Sequence, residues 1–268
     1  PCPAGGWNIT NLGALLLAKH LSDFRTLERK AMRVIQYRGN GRVETIREQL
    51  GVKGYASGFE GLIEYINGVL PSNEVVRQAL RETVPMFPEL AVRELVANAL
   101  IHQDLHATGM GPMVEIFEDR IEITNPGPPL VDPDRFVDTP PRSRNERLAS
   151  LMRRFGICEE RGSGIDKVVF QVEYYQLPAP LFEVPPDSTR VVLFAHKAVR
   201  EMDKAERVRA CYLHACLQYV MRQPVTNSSL RERFGVDERN SADVSRWLKE
   251  ACKAGVIGLE DETVGTRS

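Results

Sequence analysis

Several things are missing from this chain, and each absence narrows what it can be. Its 268 residues carry 35 Lys and Arg against 36 Asp and Glu, a formal charge of −1. No overall field therefore draws it to nucleic acid or to a charged membrane, and any DNA contact must come from a local patch. The longest apolar run, near Leu12–Ala18, is far too short to cross a bilayer, and no signal segment opens the chain. The cysteines Cys2, Cys158, Cys211, Cys216 and Cys252 are odd in number and lack paired short spacings. Reduced thiols in the core of a cytoplasmic protein are the expectation. Neither these nor the scattered histidines form a metal-spaced cluster, and there is no internal repeat or low-complexity tract. What is present, 43% hydrophobic and 26% charged residues, suits one large or two small globular domains. The start Pro1-Cys2-Pro3, without Met, leads us to expect part of a longer protein.

Three segments separate by composition. Residues 1–54 read as a helix over Leu12–His20 and a strand within Met32–Tyr37 that stops at the Gly39-Asn40-Gly41 turn. This is too little to close a domain and suggests the tail of one lying upstream. Residues 55–198 open with helical patterns over Phe59–Leu70 and Asn73–Arg81, with Pro71 starting the second and Pro85 and Pro88 ending it. A helix over Arg93–Gln103 follows, then strands Met113–Phe117 and Arg120–Thr124 about a Glu118-Asp119 turn. Six prolines within Pro126–Pro141 exclude regular structure there, and so long a loop is functional or mobile. Helices are predicted over Asn145–Phe155 and Ile165–Tyr175, and strands near Leu181–Val184 and Arg190–Ala195. Residues 199–268 read as helices Glu206–Arg222, Asn227–Phe234 and Asn240–Ala254, then a strand Val256–Leu259. That is the winged helix-turn-helix order.

The helix around Arg93–Gln103 carries the first candidate chemistry. Val92, Leu95, Val96, Ala99 and Leu100 wrap most of it in apolar side chains, so it is a buried helix. Glu94, Asn98 and His102 nevertheless fall at i, i+4 and i+8, three polar groups in one line. Polar groups in a core helix need partners, either neighbouring loops or a ligand. A carboxylate one turn before a carboxamide suits a metal–phosphate site: the amide oxygen can ligate Mg²⁺ and the carboxylate can orient a water. Arg142, Arg144, Arg147, Arg153 and Arg154 form a basic cluster, read first as a solvated face and second as a phosphate contact.

In the last segment Leu217, Leu230, Phe234, Val244, Trp247 and Leu248 can form a three-helix core. The third helix would then expose Ser241, Arg246, Lys249 and Lys253, with Arg239 and Asn240 at its start. Such groups read guanine edges or hold phosphate. Between Thr226 and Gly258 there are six basic residues against five acidic. The patch is modest, so dimerisation or protein docking stays open beside DNA binding.

Arg93-Glu94-Leu95-Val96-Ala97-Asn98-Ala99-Leu100-Ile101-His102-Gln103-Asp104 resembles the N-box of GHKL ATPases, the group of gyrase-type topoisomerases, histidine kinases and mismatch-repair ATPases. More closely, it resembles the HATPase-C-like domain that bacterial transcriptional regulators carry behind a Schlafen/AlbA-type domain. There the helix is followed by a strand pair ending in Asn-Pro-Gly, here Ile121-Glu122-Ile123-Thr124-Asn125-Pro126-Gly127. A glycine turn comes later, here Glu159-Glu160-Arg161-Gly162-Ser163-Gly164-Ile165. Arg142-Ser143-Arg144-Asn145 is similar to the group's Arg-Asn element.

The resemblance implies an α+β chain, a GHKL (Bergerat-like) α/β sandwich with a C-terminal winged helix-turn-helix, and makes residues 1–54 the remnant of an AlbA/Schlafen-like domain. It implies ATP and Mg²⁺ as ligands, Glu94 as general base and Asn98 as Mg²⁺ ligand, with His102 on the same line. Asn125 takes the place of the aspartate that reads the adenine amino group, and Gly127 that of the glycine beside the ring. Arg161, Gly162, Ser163 and Gly164 would meet phosphate, the last three through backbone N–H groups. Residues Pro126–Pro141 would be the mobile lid. Asn125 for Asp, Pro129 and Asp166 for glycines, and Ile101 for a polar residue depart from the pattern and weigh against turnover. The implied function is a homodimeric, DNA-binding transcriptional regulator whose core takes a nucleotide effector or serves as an interaction platform. The alternative is a Mg-dependent ATPase coupled to a DNA transaction.

Overall fold

Alternation along the strands decides how the sheet is clothed. The computed structural model describes residues 8–77, 80–140, 142–158 and 164–258. Six strands form one mixed sheet: β1 (Arg33–Tyr37), β2 (Thr45–Leu50), β5 (Met113–Ile116), β6 (Arg120–Pro126), β7 (Leu181–Glu183) and β8 (Ser188–Phe194), in the order β2-β1-β5-β6-β8-β7. The β1–β5 pair is parallel and the others are antiparallel. Val34, Val114, Ile116, Ile121, Ile123 and Leu193 point to one face, as a period of two requires. On that face pack α1 (Asn11–Leu17), α2 (Tyr55–Val69), α3 (Glu89–His102), α4 (Glu146–Arg154) and α5 (Gly164–Tyr174). This is the α+β arrangement expected, with helices layered on one face of a sheet.

The opposite face carries Ile35, Tyr37 and Phe117, with the Tyr37 and Phe117 rings stacked at 5.1 Å. Across it runs an ion network in which Arg42, from the β1–β2 connection, bridges Glu115 and Glu122.

Three helices follow the sheet: α6 (Lys204–Val220), α7 (Asn227–Phe234) and α8 (Ser241–Lys253). Leu217, Leu230, Phe234, Val244 and Trp247 are buried among them, with Leu248 partly buried against this core. Capping boxes open α6 (Asp203 with Glu206) and α7 (Thr226 with Ser229), and Gly235 ends α7 in the left-handed region at φ +61°, where glycine avoids the Cβ penalty.

Three expectations are corrected. The division at residue 54 runs through a single sheet, because β1 and β2 pair into it and α1 shares its core. The helix expected over Asn73–Arg81 is replaced by a two-stranded pair, β3 (Ser72–Arg77) and β4 (Leu80–Pro85), in which Val76 faces Arg81 and Asn73 faces Val84. β-branched Val75, Val76, Thr83 and Val84 favour the extended form. The strand expected over Val256–Leu259 is absent over residues 256–258, where 256 and 257 form a bend and 258 is irregular, while Leu259 lies outside the described residues. The three helices are therefore present and a wing is not shown. Among the described residues, no helix is long and apolar enough to cross a membrane.

Candidate functional site

Helix α3 is buried almost all round, through Ala91, Val92, Leu95, Val96, Ala97, Ala99, Leu100 and Ile101. Glu94, Asn98 and His102 are half-buried and line one cavity of about 1000 Å³. Its floor comes from Ile123 and Asn125 on β6 and Thr189 and Val191 on β8, and Gly164 at the start of α5 closes one end. The loop after β6 supplies a wall through Pro128, Pro129, Leu130, Val131 and Phe136. Glu94, Asn98 and His102 of α3 thus share one space with Asn125 and Gly164, which are distant from them in sequence.

Gly164 has a steric role here. A Cβ on it would collide with the Glu94 carboxylate oxygen, and would lie 3.0 Å from Glu94 Cδ and 3.3 Å from Asn98 Nδ2. The carboxylate therefore rests against the N-terminal residue of α5, the end of a helix that favours negative charge. Asn125 is buried and donates its Nδ2 to the Pro126 carbonyl at 3.1 Å. Its amide oxygen is an acceptor by type. Burial, and then the neighbouring Arg144, lower the His102 pKa to about 4, so its ring is neutral at pH 7.

The cavity is electropositive at its rim. Arg142, Arg144, Arg147, Arg153 and Lys167 line it, against Glu94 and Glu146, so five cationic side chains face two anionic ones. Arg142 and Arg147 are exposed at the cavity mouth, as a solvated face requires, Arg144 and Arg153 are half-buried in its lining, and Arg154 is exposed and lies off the cavity. Lys167 belongs to the lining although nothing in the sequence singles it out. Asp166, expected beside phosphate, is not part of the lining; burial raises its pKa.

Gly127 is also not part of the lining. Its φ is +95°, and a Cβ there would sit 3.0 Å from Asp104 Cβ and 3.3 Å from Arg144 Cζ, so backbone conformation and packing require it. Arg161, Gly162 and Ser163 lie outside the described residues.

The Arg144-Asn145 pair closes the C-terminal end of α3, whose carbonyls have no partners inside the helix. Asn145 Nδ2 donates to the carbonyls of Ile101 and Gln103, both at 2.8 Å. Arg144 Nε donates to the His102 carbonyl at 3.0 Å, and its Nη2 to the Pro128 carbonyl. The pair thereby fixes both the helix and the start of the cavity wall.

No group of three or more His, Cys, Asp or Glu among the described residues could hold a metal alone. A divalent cation would need oxygens from a ligand as well as Asn98, which is how Mg²⁺ is usually held beside phosphates.

Just before α8, Arg239 and Asn240 are exposed; on it Arg246, Lys249 and Lys253 are exposed and Ser241 is half-buried. Arg246 pairs with Asp243 at 2.8 Å and Arg239 with Asp237 at 3.1 Å, which offsets part of their charge.

Residues 109–193 match a family model described as "Putative ATP-dependent DNA helicase recG C-terminal". That span covers Asn125, Gly127 and Gly164, and starts after Glu94, Asn98 and His102. No curated protein matches the chain. Among solved structures it is similar to the DIP2311 protein from Corynebacterium diphtheriae, with a TM-score of 0.59 and 19% identity over 82% of this chain and 47% of that one. The chain thus spans about half the length of that protein, and the likeness concerns the fold. Over residues 109–193 the chain is similar to a GHKL-type, ATPase-like domain.

Proposed function

We propose that the cavity binds a nucleoside triphosphate with Mg²⁺, and that the bound nucleotide acts as effector of a DNA-binding regulator. One observation carries this: the polar line Glu94, Asn98 and His102 on an otherwise buried helix opens into a space of about 1000 Å³ rimmed by five cationic side chains. A triphosphate fits that charge balance. The end of α5 is shared with the Glu94 carboxylate, and a phosphate brought there needs a cation between the two anions. In this reading the Asn98 amide oxygen would ligate that cation and the Asn125 amide oxygen would accept from an amino group on the base. The match of residues 109–193 to an ATPase-like family model supports the same ligand.

The DNA contact in this reading falls to the exposed start and outer face of α8: Arg239, Asn240, Ser241, Arg246, Lys249 and Lys253. The packing of α7 against α8 is consistent with a helix-turn-helix. Two-fold operators would make the working form a homodimer.

Equilibrium titration with Mg-ATP is the test. The wild type should bind, and Asn98→Ala should lose roughly tenfold or more of its affinity, the scale of about 1.4 kcal/mol. Absence of binding by the wild type removes the nucleotide reading. A gel shift in which Arg246→Ala/Lys249→Ala binds DNA as well as wild type removes the assignment of α8.

ATP turnover is the second reading, favoured by the Glu94 carboxylate lying in the same cavity one turn from Asn98. Hydrolysis abolished by Glu94→Ala with binding retained would support it.

A further inference from the structure

The loop that walls the cavity is rooted in the three-helix unit. Phe136 lines the cavity and meets Phe182 of β7 edge-on at 5.2 Å. The next residue, Val137, is only 5% exposed and belongs to the core that α6, α7 and α8 enclose. Tyr212 of α6 donates its hydroxyl to the Asp134 carbonyl, and Arg135 holds Asp138 at 2.7 Å, which ties the turn together.

A second connection runs through α5. Its first residue, Gly164, packs so close to Glu94 that a Cβ would collide there, and it lines the cavity beside Asn98. In its last turn Glu173 pairs with His214 of α6 at 2.9 Å and approaches Arg233 of α7 at 3.5 Å. His214 continues to Ser229 of α7 at 3.0 Å. The 11-residue helix is a rod of roughly 16 Å with one end in the cavity and the other in the helical unit. In this distal cluster the buried Arg233 Nε and Glu173 Oε1 face each other at 3.5 Å, longer than the neighbouring hydrogen bonds.

We propose that a nucleotide in the cavity repositions the three-helix unit, and with it the exposed face of α8, through the Val137–Tyr212 anchor and the α5 rod. This rests on the nucleotide reading above. A ligand shifts such an equilibrium only through contacts that differ between the two arrangements. Both connections begin at residues that line the cavity, Phe136 on the wall and Gly164 beside Glu94. The wall cannot move without either drawing Val137 out of the helical core or carrying α6 along.

Hydrogen exchange of the full chain, with and without saturating Mg-ATP, tests this. Protection in α6 and α8 should change by roughly fivefold or more in the wild type, the lower end of ordinary coupling between sites. In Tyr212→Phe and Val137→Ala, Mg-ATP affinity should stay within about threefold of wild type while the α6–α8 response falls by roughly half or more. Tyr212→Phe removes a single hydroxyl and keeps the test valid if Val137→Ala unfolds. Binding of Mg-ATP with no change in α6 or α8 overturns the coupling and leaves the cavity reading standing. A full response in Tyr212→Phe overturns the anchor route. No Mg-ATP binding by the wild type overturns both readings.

Discussion

Glu115 on β5 and Glu122 on β6 stand directly opposite each other in the antiparallel register, and both are buried. Like charges so placed destabilise a strand pair. Arg42 offsets this by reaching over the sheet: it binds Glu115 at 2.6 and 2.9 Å and Glu122 at 2.7 Å. Its hydrogen bond to Glu115 raises the guanidinium pKa above its ordinary value. Arg120 adds a second contact to Glu122 at 2.7 Å.

Removing Arg42 should therefore cost more than removing an ordinary surface arginine. We expect Arg42→Ala to destabilise by about 2 kcal/mol, below the figure for a fully buried pair because Arg42 is itself half exposed. Adding Glu115→Gln should restore much of the loss, since one of the two facing charges is then gone. Urea unfolding of the single and double variants checks this, and additive losses would contradict it.

Gly164→Ala should be harmful although alanine is the best helix former. The new Cβ meets the Glu94 carboxylate, so we expect a loss of about 1–3 kcal/mol from overpacking. Thermal unfolding of Gly164→Ala/Glu94→Ala should show partial recovery. If the double variant is no more stable than Gly164→Ala, the steric account is wrong.

Asn145→Ala should weaken the end of α3 without touching the cavity floor. Two carbonyls, those of Ile101 and Gln103, lose their donor, at a cost of roughly 1–3 kcal/mol. Faster amide exchange confined to the last turn of α3 and the residues after it is the expected signature. A change spread evenly over the molecule would argue against a capping role.

The buried His102 makes stability depend on pH. Its folded pKa of about 4 lies below the ordinary value of 6.5, so the folded state favours the neutral ring. The full contribution is present above about pH 6.5 and is lost as pH falls toward 4, by up to roughly 3 kcal/mol. His102→Gln should flatten that part of the curve. Identical slopes for wild type and variant between pH 7 and 4 would refute the assignment.

Features that depend on local repetition are legible in the amino-acid sequence. The polar line on α3 is visible because a helix repeats every 3.6 residues, and the strand pair leading to Asn125 because its alternation is local. Pairings carried by the backbone alone are not legible in this way. Nothing near Arg33–Tyr37 announces a parallel partner in β5, since Tyr37 and Glu115 meet across 78 residues. Asn145 acts on carbonyl oxygens, which every residue has, so its partners leave no mark in the sequence. Val76 and Leu80 are spaced as on a helix, yet the segment pairs as strands, where β-branched neighbours outweigh that spacing. Lys167 reaches the cavity only because the start of α5 is brought against Glu94.

The parallel pairing of β1 with β5 also decides where the chain can be cut. A fragment beginning at residue 55 would lack β1 and β2 and leave the β5 edge bare, beside the apolar Val114 and Ile116. Bare edges of that kind recruit other strands. Such a fragment should self-associate in solution, so β1 and β2 are an edge cover that the sheet cannot shed.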